Sequence, residues 1–382
     1  MTTNMQKFLS PATHGFVRIA CVTPKVHIAD PQANLAEHIS LAKRVDEAGA
    51  DLVVFPELSL SAYAIDDLFT QKVLLDAVKQ AVNDLAEVST KLRSVLVAGA
   101  PLQIDGAIYN CAVVIHRGRV LGVVPKTYLP NYREYYERRY FASAADLSPT
   151  MIELAGENAY VGTNQIFKAR GADAFIFGVE ICEDLWVPQT PATQLALSGA
   201  TVIVNLSASP VVIGKSRARK RLCAAASERL FCAYAYSAAG PGESTTDLAW
   251  DGQSLIYEMG DLIAEGERFS SDTVTLADID VERIASERLR TGTFNDAKRT
   301  IADRNLMTAL FAFEPHALTD FHRHVPRFPY VPADKDRLDE DCYEAFNIQV
   351  HGLMQRLSTS NTQNVVIGIS GGLDSTHAVI VA

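Results

Sequence analysis

No two of the six cysteines, at positions 21, 111, 182, 223, 232 and 342, are spaced as CxxC. That argues against a zinc ribbon or a thioredoxin-type motif. No apolar run approaches the roughly 18 residues of a membrane-crossing helix. The opening MTTNMQKFLSPATHG has no apolar signal core. Basic residues are the minority: 35 Lys and Arg against 45 Asp and Glu give a formal charge of −10. That balance speaks against a general nucleic-acid or membrane surface and leaves room only for a local basic face. Internal repeats and low-complexity tracts are missing. The expectation is a soluble, cytoplasmic chain with reduced cysteines and neither nucleic acid nor membrane as partner.

What is present reads as ordinary globular material. Of 382 residues, 48% are hydrophobic and 21% charged, so disorder is not the default. FVRIACVTP (16–24) and DLVVFPEL (51–58) read as strands; the second is a continuous apolar run, as in a strand buried on both faces. Between them Leu35, Ile39, Ala42 and Val45 recur at helical spacing. Residues 73–92 repeat that spacing. SVLVAGAPL, AIYNCAVVIH and RVLGVVPK follow as strands, with HRGR as a turn. Beyond the Tyr- and Arg-rich stretch 128–141, strands (ADAFIFGVEIC, TVIVNLSAS, CAYAYSAAG) alternate with helices (PATQLALSGA, 215–231). GQSLIYEMGDLIAEGE reads as a hairpin, and DTVTLADIDVERIASERLR as a strand and a helix. This is a layered α/β domain. Prolines at 320–336 break the pattern. RLDEDCYEAFNIQVHGLMQRL then reads as a helix, NVVIGIS as a strand, and GGLDSTHAVIVA as a glycine loop opening a helix.

Three short motifs end three of these strands. VVFPEL carries Glu57, GVVPKTYLPNY carries Lys126, and GVEICEDLW carries Cys182. Strand ends converge at one edge of an α/β sheet, where sites usually form. Cys182 lies among Glu180, Glu183 and Asp184, which disfavour a thiolate. A cysteine there is either inert packing or is served by a cation and a proton acceptor from elsewhere. Lys126 and Glu57 are the candidates, although each also reads as a turn lysine or a helix-start carboxylate. Glu180 reads as structural, and Cys21, Cys111, Cys223 and Cys232 as core.

FPE, PK and EICEDLW in this order resemble the Glu–Lys–Cys triad of the nitrilase (carbon–nitrogen hydrolase) superfamily over roughly residues 15–300. The resemblance implies an α-β-β-α sandwich and a thioester mechanism on an amide such as glutamine. Cys182 is then the nucleophile, Glu57 the general base and acid, and Lys126 the oxyanion partner, helped by the backbone N–H of Glu183. In NYREYYERRYF (131–141), which also reads as a lid or an oligomer contact, the resemblance makes Tyr132 a glutamine-binding tyrosine. It makes Glu134 the second glutamate supporting the lysine. It also assigns Ser209 and Lys215 to glutamine, although Lys215 starts a basic run that reads equally as a solvated face. Tyr63 is placed to wall the pocket or to pack in the core.

IGISGGLDST (367–376) lacks the GK[ST] of a Walker loop and resembles the SGGxDS loop of the ATP pyrophosphatases. That resemblance assigns Gly368, Ser370, Gly371, Gly372, Asp374 and Ser375 to ATP, the backbone cradling a pyrophosphate. A nitrilase-type domain ahead of such a loop resembles the glutamine-dependent NAD⁺ synthetase family. Neither the N-terminal cysteine of asparagine synthetases nor the Gly-x-Cys-x-Gly elbow of GMP synthetases is seen. The implied organisation is a glutamine amidohydrolase domain over 1–300 and a linker over 301–345. The start of a Rossmann-like ATP-pyrophosphatase domain follows over 346–382. The implied partners are glutamine, ATP and nicotinate adenine dinucleotide, in a homo-oligomer. The glutaminase needs no cofactor or metal; ATP and Mg²⁺ serve the full-length synthetase. Because the chain stops seven residues past Ser375, the expectation is glutamine hydrolysis without NAD⁺ synthesis. The rivals are a free-standing amidase or carbamoylase and an inactive assembly module.

Overall fold

Apolar residues on both faces of successive strands must be covered twice, and the computed structural model shows by what. It describes residues 4–245, 247–300, 306–316, 320–332 and 334–382. These fall into two units, divided between Arg323 and His324.

The first unit opens with a short helix α1 (Asn4–Leu9). It continues through β1 (Phe16–Thr23), α2 (Pro31–Glu47), β2 (Leu52–Val54), α3 (Lys72–Ser89), β3 (Val95–Ile104), β4 (Ala107–His116), β5 (Arg119–Pro125), β6 (Thr150–Leu154), β7 (Glu157–Val161) and β8 (Gln165–Arg170). Next come β9 (Ile176–Ile181), α4 (Pro191–Leu197), β10 (Val202–Ser207), α5 (Lys215–Arg229), β11 (Ala233–Ala238), β12 (Ser254–Glu258), β13 (Asp261–Glu265) and β14 (Thr273–Asp280). The unit ends with α6 (Val281–Arg290), α7 (Gly292–Ala297) and β15 (Met307–Ala312). One sheet has the order β14-β1-β2-β3-β4-β5-β7-β6, the other β13-β12-β11-β10-β9-β8-β15.

Alternation along each strand sorts side chains into layers. Val17, Ile19 and Cys21 of β1 join Val202, Val204 and Leu206 of β10 in the core between the sheets. Ala20 and Val22 turn the other way, to Leu35, Leu41 and Val45 of α2 and Val78 and Leu85 of α3. On the far side Ile203, Tyr234 and Tyr236 pack with Leu195 of α4 and Cys223 and Ala226 of α5. The result is the expected α-β-β-α sandwich. Each fully buried Val or Leu contributes about 1.5–3 kcal/mol. Cys21, Cys111, Cys223 and Cys232 are completely buried.

The hairpin closes where the sequence indicates: Met259 and Gly260 both take positive φ, 45° and 93°, the geometry of a two-residue turn. The hairpin β6–β7 was not anticipated. The expected linker 301–345 needs correction. Within it Met307–Ala312 pairs in parallel with β8, because Phe311 completes the aromatic cluster of Phe175 and Phe177. Further on, Arg323 donates to both carboxylate oxygens of Glu258, at 2.6 and 2.8 Å, and His322 pairs with Asp278 through its backbone.

The second unit holds α8 (Lys335–Thr359) and α9 (Leu373–Val381). α8 therefore starts inside the expected linker. The expected strand at 364–370 carries no ladder. A β-strand is made by its neighbours, and no other strand lies among the described residues of this unit.

Candidate active site

Glu57 lies on the loop leaving β2, and that loop is held under tension. Leu58 and Ala62 have positive φ, 51° and 76°, conformations costly without glycine and tolerated only where the surroundings over-determine them. His38 provides part of that support. Burial pushes its pKa down to about 4, against the pull of the Asn34 carbonyl, so it is neutral. Its Nδ1–H donates to Asn34, leaving Nε2 to accept from Ser59 Oγ at 2.8 Å. Gly99 of β3 lets the loop approach: a Cβ there would stand 2.2 Å from the backbone nitrogen of Leu58 and 2.5 Å from the carbonyl oxygen of Pro56. Gly99→Ala is therefore expected to push Glu57 out of place. Amide hydrolysis should fall by about 10²-fold, the cost of a displacement near 1 Å. Assay of the purified variant alongside its melting curve checks this.

Glu57 is completely buried and meets three donors. Its Oε1 accepts from Lys126 Nζ at 2.6 Å and from Asn110 Nδ2 at 2.7 Å. Its Oε2 accepts from the backbone N–H of Ala208 at 2.7 Å. Lys126, just past β5, reaches across to a second carboxylate, donating to both oxygens of Glu137 at 2.7 and 2.8 Å. The glutamate that supports the lysine is thus Glu137 and not Glu134. Residues 137–139 form a single 3₁₀ turn at whose start Glu137 is buried, whereas Glu134 is half-buried and lines the cavity beside it. Burial alone would lower the pKa of Lys126, but Glu137, Glu57 and Cys182 together raise it well above the ordinary value. It stays an ammonium. Burial pushes Glu137 upward, Lys126 pulls it back, and Glu57 adds to the upward push.

Cys182 follows β9 at a sharp corner with φ 45°. Asp184 holds the corner by accepting from the N–H of Ile181 at 3.0 Å and of Tyr128 at 2.9 Å. The N–H of Cys182 donates to Asn205 Oδ1 at 3.2 Å. Glu180, expected to be structural, accepts from Tyr234 and from the N–H of Ala192. Ile181 and Leu206 are register partners in the parallel pair β9–β10. The residues just beyond them are Cys182 and, on the neighbouring strand, the Ser207–Ala208 step that binds Glu57. Carboxylate and ammonium, from the ends of β2 and β5 on the first sheet, thereby meet the thiol at the end of β9 on the second.

Burial, then Glu57, outweigh the attraction of Lys126, and the thiol of Cys182 is pushed up to about 12. The free site accordingly holds a thiol. Alkylation of Cys182 by iodoacetamide is expected to rise about tenfold per pH unit from about pH 6 to about pH 10 without a plateau. Mass-spectrometric rates for that cysteine test it.

Around the thiol lies an arc of polar side chains. Tyr132, half exposed, donates to Glu183 Oε1 at 2.8 Å. Tyr135 stands edge-on to Tyr132 and accepts from Lys215 Nζ at 2.7 Å. Ser209 Oγ lies 3.4 Å from the same phenol. Burial lowers the pKa of Lys215 while Cys182 pulls it up; the side chain is half-buried and turned to Tyr135. Tyr63 donates to Glu137 Oε1 at 2.7 Å. It lines a cavity of about 320 Å³ with Glu134, Tyr135 and Trp250.

Sequence reasoning missed Glu137, Asn110, Tyr135 and Asn205. Glu134 and Glu137 share one motif, and only the 3₁₀ turn that begins at Glu137 decides which faces inward. Asn110 sits in the middle of an apolar strand pattern, and a polar residue there is a usable signal. The N–H of Ala208 leaves no trace in residue identity.

In the second unit Gly372 caps α9, Gly371 has φ 80°, and Ser375 Oγ donates to the Gly372 carbonyl at 3.0 Å. Ser370 Oγ lies 3.2 Å from Ser375 Oγ. Gly368 and Asp374, on either side of Gly371 and Gly372, are both exposed. Among the described residues no cluster of three or more His, Cys, Asp or Glu is arranged to hold a metal ion, and no helix is long and apolar enough to cross a membrane.

A two-sheet sandwich that buries Glu, Lys and Cys at one set of strand ends is the architecture of the carbon–nitrogen hydrolases. A family profile for carbon-nitrogen hydrolases matches residues 18–288, and the chain belongs to that family. Over 381 residues it is 52% identical to the glutamine-dependent NAD(+) synthetase of Mycobacterium tuberculosis, covering 98% of this chain and 56% of that one. A glutamine-dependent NAD(+) synthetase structure from Cytophaga hutchinsonii superposes with TM-score 0.62 at 26% identity, over 69% of this chain and 43% of its own. One from Acinetobacter baumannii in complex with ADP gives TM-score 0.59 at 28% identity, over 70% and 46%. The chain spans about half the length of the curated relatives it matches.

Proposed function

We propose that the first unit hydrolyses glutamine to glutamate and ammonia and is the ammonia-supplying part of a glutamine-dependent NAD⁺ synthetase. The observation that carries the reading is the buried array Glu57–Lys126–Glu137 beside Cys182. The Cys182 sulfur attacks the amide carbon as Glu57 takes the thiol proton, so no free thiolate has to exist beforehand. The negative charge gathering on the carbonyl oxygen is met by Lys126 and by the N–H of Glu183. Glu57 passes its proton to the departing nitrogen, and ammonia leaves a thioester. Glu57 then deprotonates a water that attacks the thioester, glutamate departs, and the proton returns to the sulfur.

Glutamine carries a carboxylate and an ammonium beyond its amide, and the arc around the thiol offers partners for both. Lys215, with Ser209 and Tyr132, suits the carboxylate, and Glu183 or the tyrosine faces suit the ammonium. The proposed role of the loop Gly368–Ser375 is to hold the phosphates of ATP. Its left-handed Gly371, with open space around it, and the start of the nine-residue α9 fit an anion. ATP, with Mg²⁺, supplies adenylation of nicotinate adenine dinucleotide, which ammonia then converts to NAD⁺. The reading includes a cytoplasmic homo-oligomer.

The test is ammonia release from a panel of amides, with mass spectrometry after diazo-oxo-norleucine. Glutamine should be preferred and one cysteine, Cys182, labelled. Preference for another amide would overturn the reading in favour of a free-standing amidase.

A further inference from the structure

Beyond the triad, a buried carboxylate that the mechanism above does not use stands at the head of a chain of contacts leading to the lysine. Glu243, 1% exposed, lies in the loop between β11 and β12, on the second sheet. It reaches the loop that follows β2 on the first sheet. Its two oxygens accept from the N–H of Tyr63 at 2.9 Å each, and Oε2 also accepts from the N–H of Ala64 at 3.0 Å. The side chain of Tyr63 continues the line, its hydroxyl donating to Glu137 Oε1, the same oxygen that accepts from Lys126. Six residues before Tyr63 on that loop sits Glu57. The other end of the β11–β12 loop braces the site a second time. Trp250 Nε1 donates to the Ala208 carbonyl at 2.7 Å, and the N–H of Ala208 donates to Glu57.

We propose that Glu243 is a positioning residue for amide hydrolysis, acting through Tyr63 and Glu137 to fix where the Lys126 ammonium stands between its two carboxylates. This rests on the hydrolase reading above. The physical reason is the backbone it grips. Ala62 and Asp66 on either side of Tyr63 have positive φ, 76° and 49°. A segment with that strain keeps one conformation only while something outside it satisfies its N–H groups. Glu243 does so with charge-assisted hydrogen bonds, the stronger kind. Burial pushes its carboxyl up to about 7 against the pull of the two N–H donors; the grip rests on the geometry of those bonds. In Glu243→Gln only one oxygen can accept, and the amide NH₂ faces backbone N–H groups.

The experiment is a double-mutant cycle of Glu243→Gln and Tyr63→Phe on the full chain, reading kcat and KM for glutamine hydrolysis and the melting temperature. Each single variant should lose about tenfold in kcat with KM changed less than about twofold, a pure positioning effect. The double variant should be no slower than the slower single, because both changes break the same line. Multiplicative losses in the double variant, or a change confined to KM or to stability, overturn the proposal. If Glu243→Gln does not fold, Glu243→Asp, which keeps the charge one methylene further back, completes the same cycle. A wild-type chain that releases no ammonia would overturn the hydrolase reading; an active wild type with multiplicative losses overturns only the role of Glu243.

Discussion

A Cys182→Ala chain is expected to release no ammonia from glutamine above background, a loss of about 10⁴-fold or more, and to take no label from diazo-oxo-norleucine. The size follows from the division of labour. Glu57 and Lys126 act on a proton and on an oxyanion that exist only once the sulfur has attacked. Removing the nucleophile therefore leaves nothing for them to assist. The fold should survive. Cys182 is 4% exposed, and replacing its thiol by a methyl hydrogen removes one buried atom, about 1 kcal/mol. The corner at φ 45° is held by Asp184 and Asn205 through backbone N–H groups that the substitution leaves intact. Ammonia release unchanged from wild type would mean that the triad is a relic and the unit an assembly module.

Lys126→Met is the second large effect, and here stability falls together with activity. The lysine side chain is fully buried and lies between two carboxylates that are 0% and 4% exposed at the side chain. Methionine fills a similar volume but leaves Glu57 and Glu137 facing each other uncompensated. Breaking a buried ion pair from one side costs about 3–5 kcal/mol, readable as a shift in the urea midpoint. The deficit should depend on pH with a definite sign. Without the ammonium, burial and mutual repulsion raise the folded-state pKa of Glu137 further above its unfolded value. A group raised in this way contributes most stability below its unfolded pKa and loses it as pH rises through the folded one. The gap between Lys126→Met and wild type should therefore narrow as pH falls from about 8 to about 5. Hydrolysis should drop by at least about 10²–10³-fold, the usual loss for an oxyanion donor. A variant as stable as wild type at neutral pH would show that the pair is not buried in solution.

The legible parts were those that local chemistry dictates. Helical spacing of Leu35, Ile39, Ala42 and Val45 leaves little choice but a helix, and α2 covers them all. Glu57, Lys126 and Cys182 each follow an apolar run, so their place at strand ends could be read one motif at a time. Glu137 could not. It lies three residues from Glu134 in a stretch with no apolar period, and a single 3₁₀ turn decides which of the two meets Lys126. β15 was hidden for a related reason: Met307–Ala312 is a strand because β8 offers it an edge and Phe175 an aromatic partner. The converse holds at 364–370, which has the composition of a strand and no partner strand among the described residues of its unit.

The amino-acid sequence by itself settled the chemistry on offer: a thiol, an amine and a carboxylate at the ends of three strands in an α/β chain. The tertiary structure decided which groups hold them. Asn110, Glu137, the N–H of Ala208 and, behind them, Tyr63 and Glu243 reach the site across as many as 180 residues of chain. The reason is physical. Secondary structure is encoded in spacing over a few residues. A buried charge is stable only where distant donors and acceptors are brought within hydrogen-bonding distance, and nothing in local spacing records which ones those are.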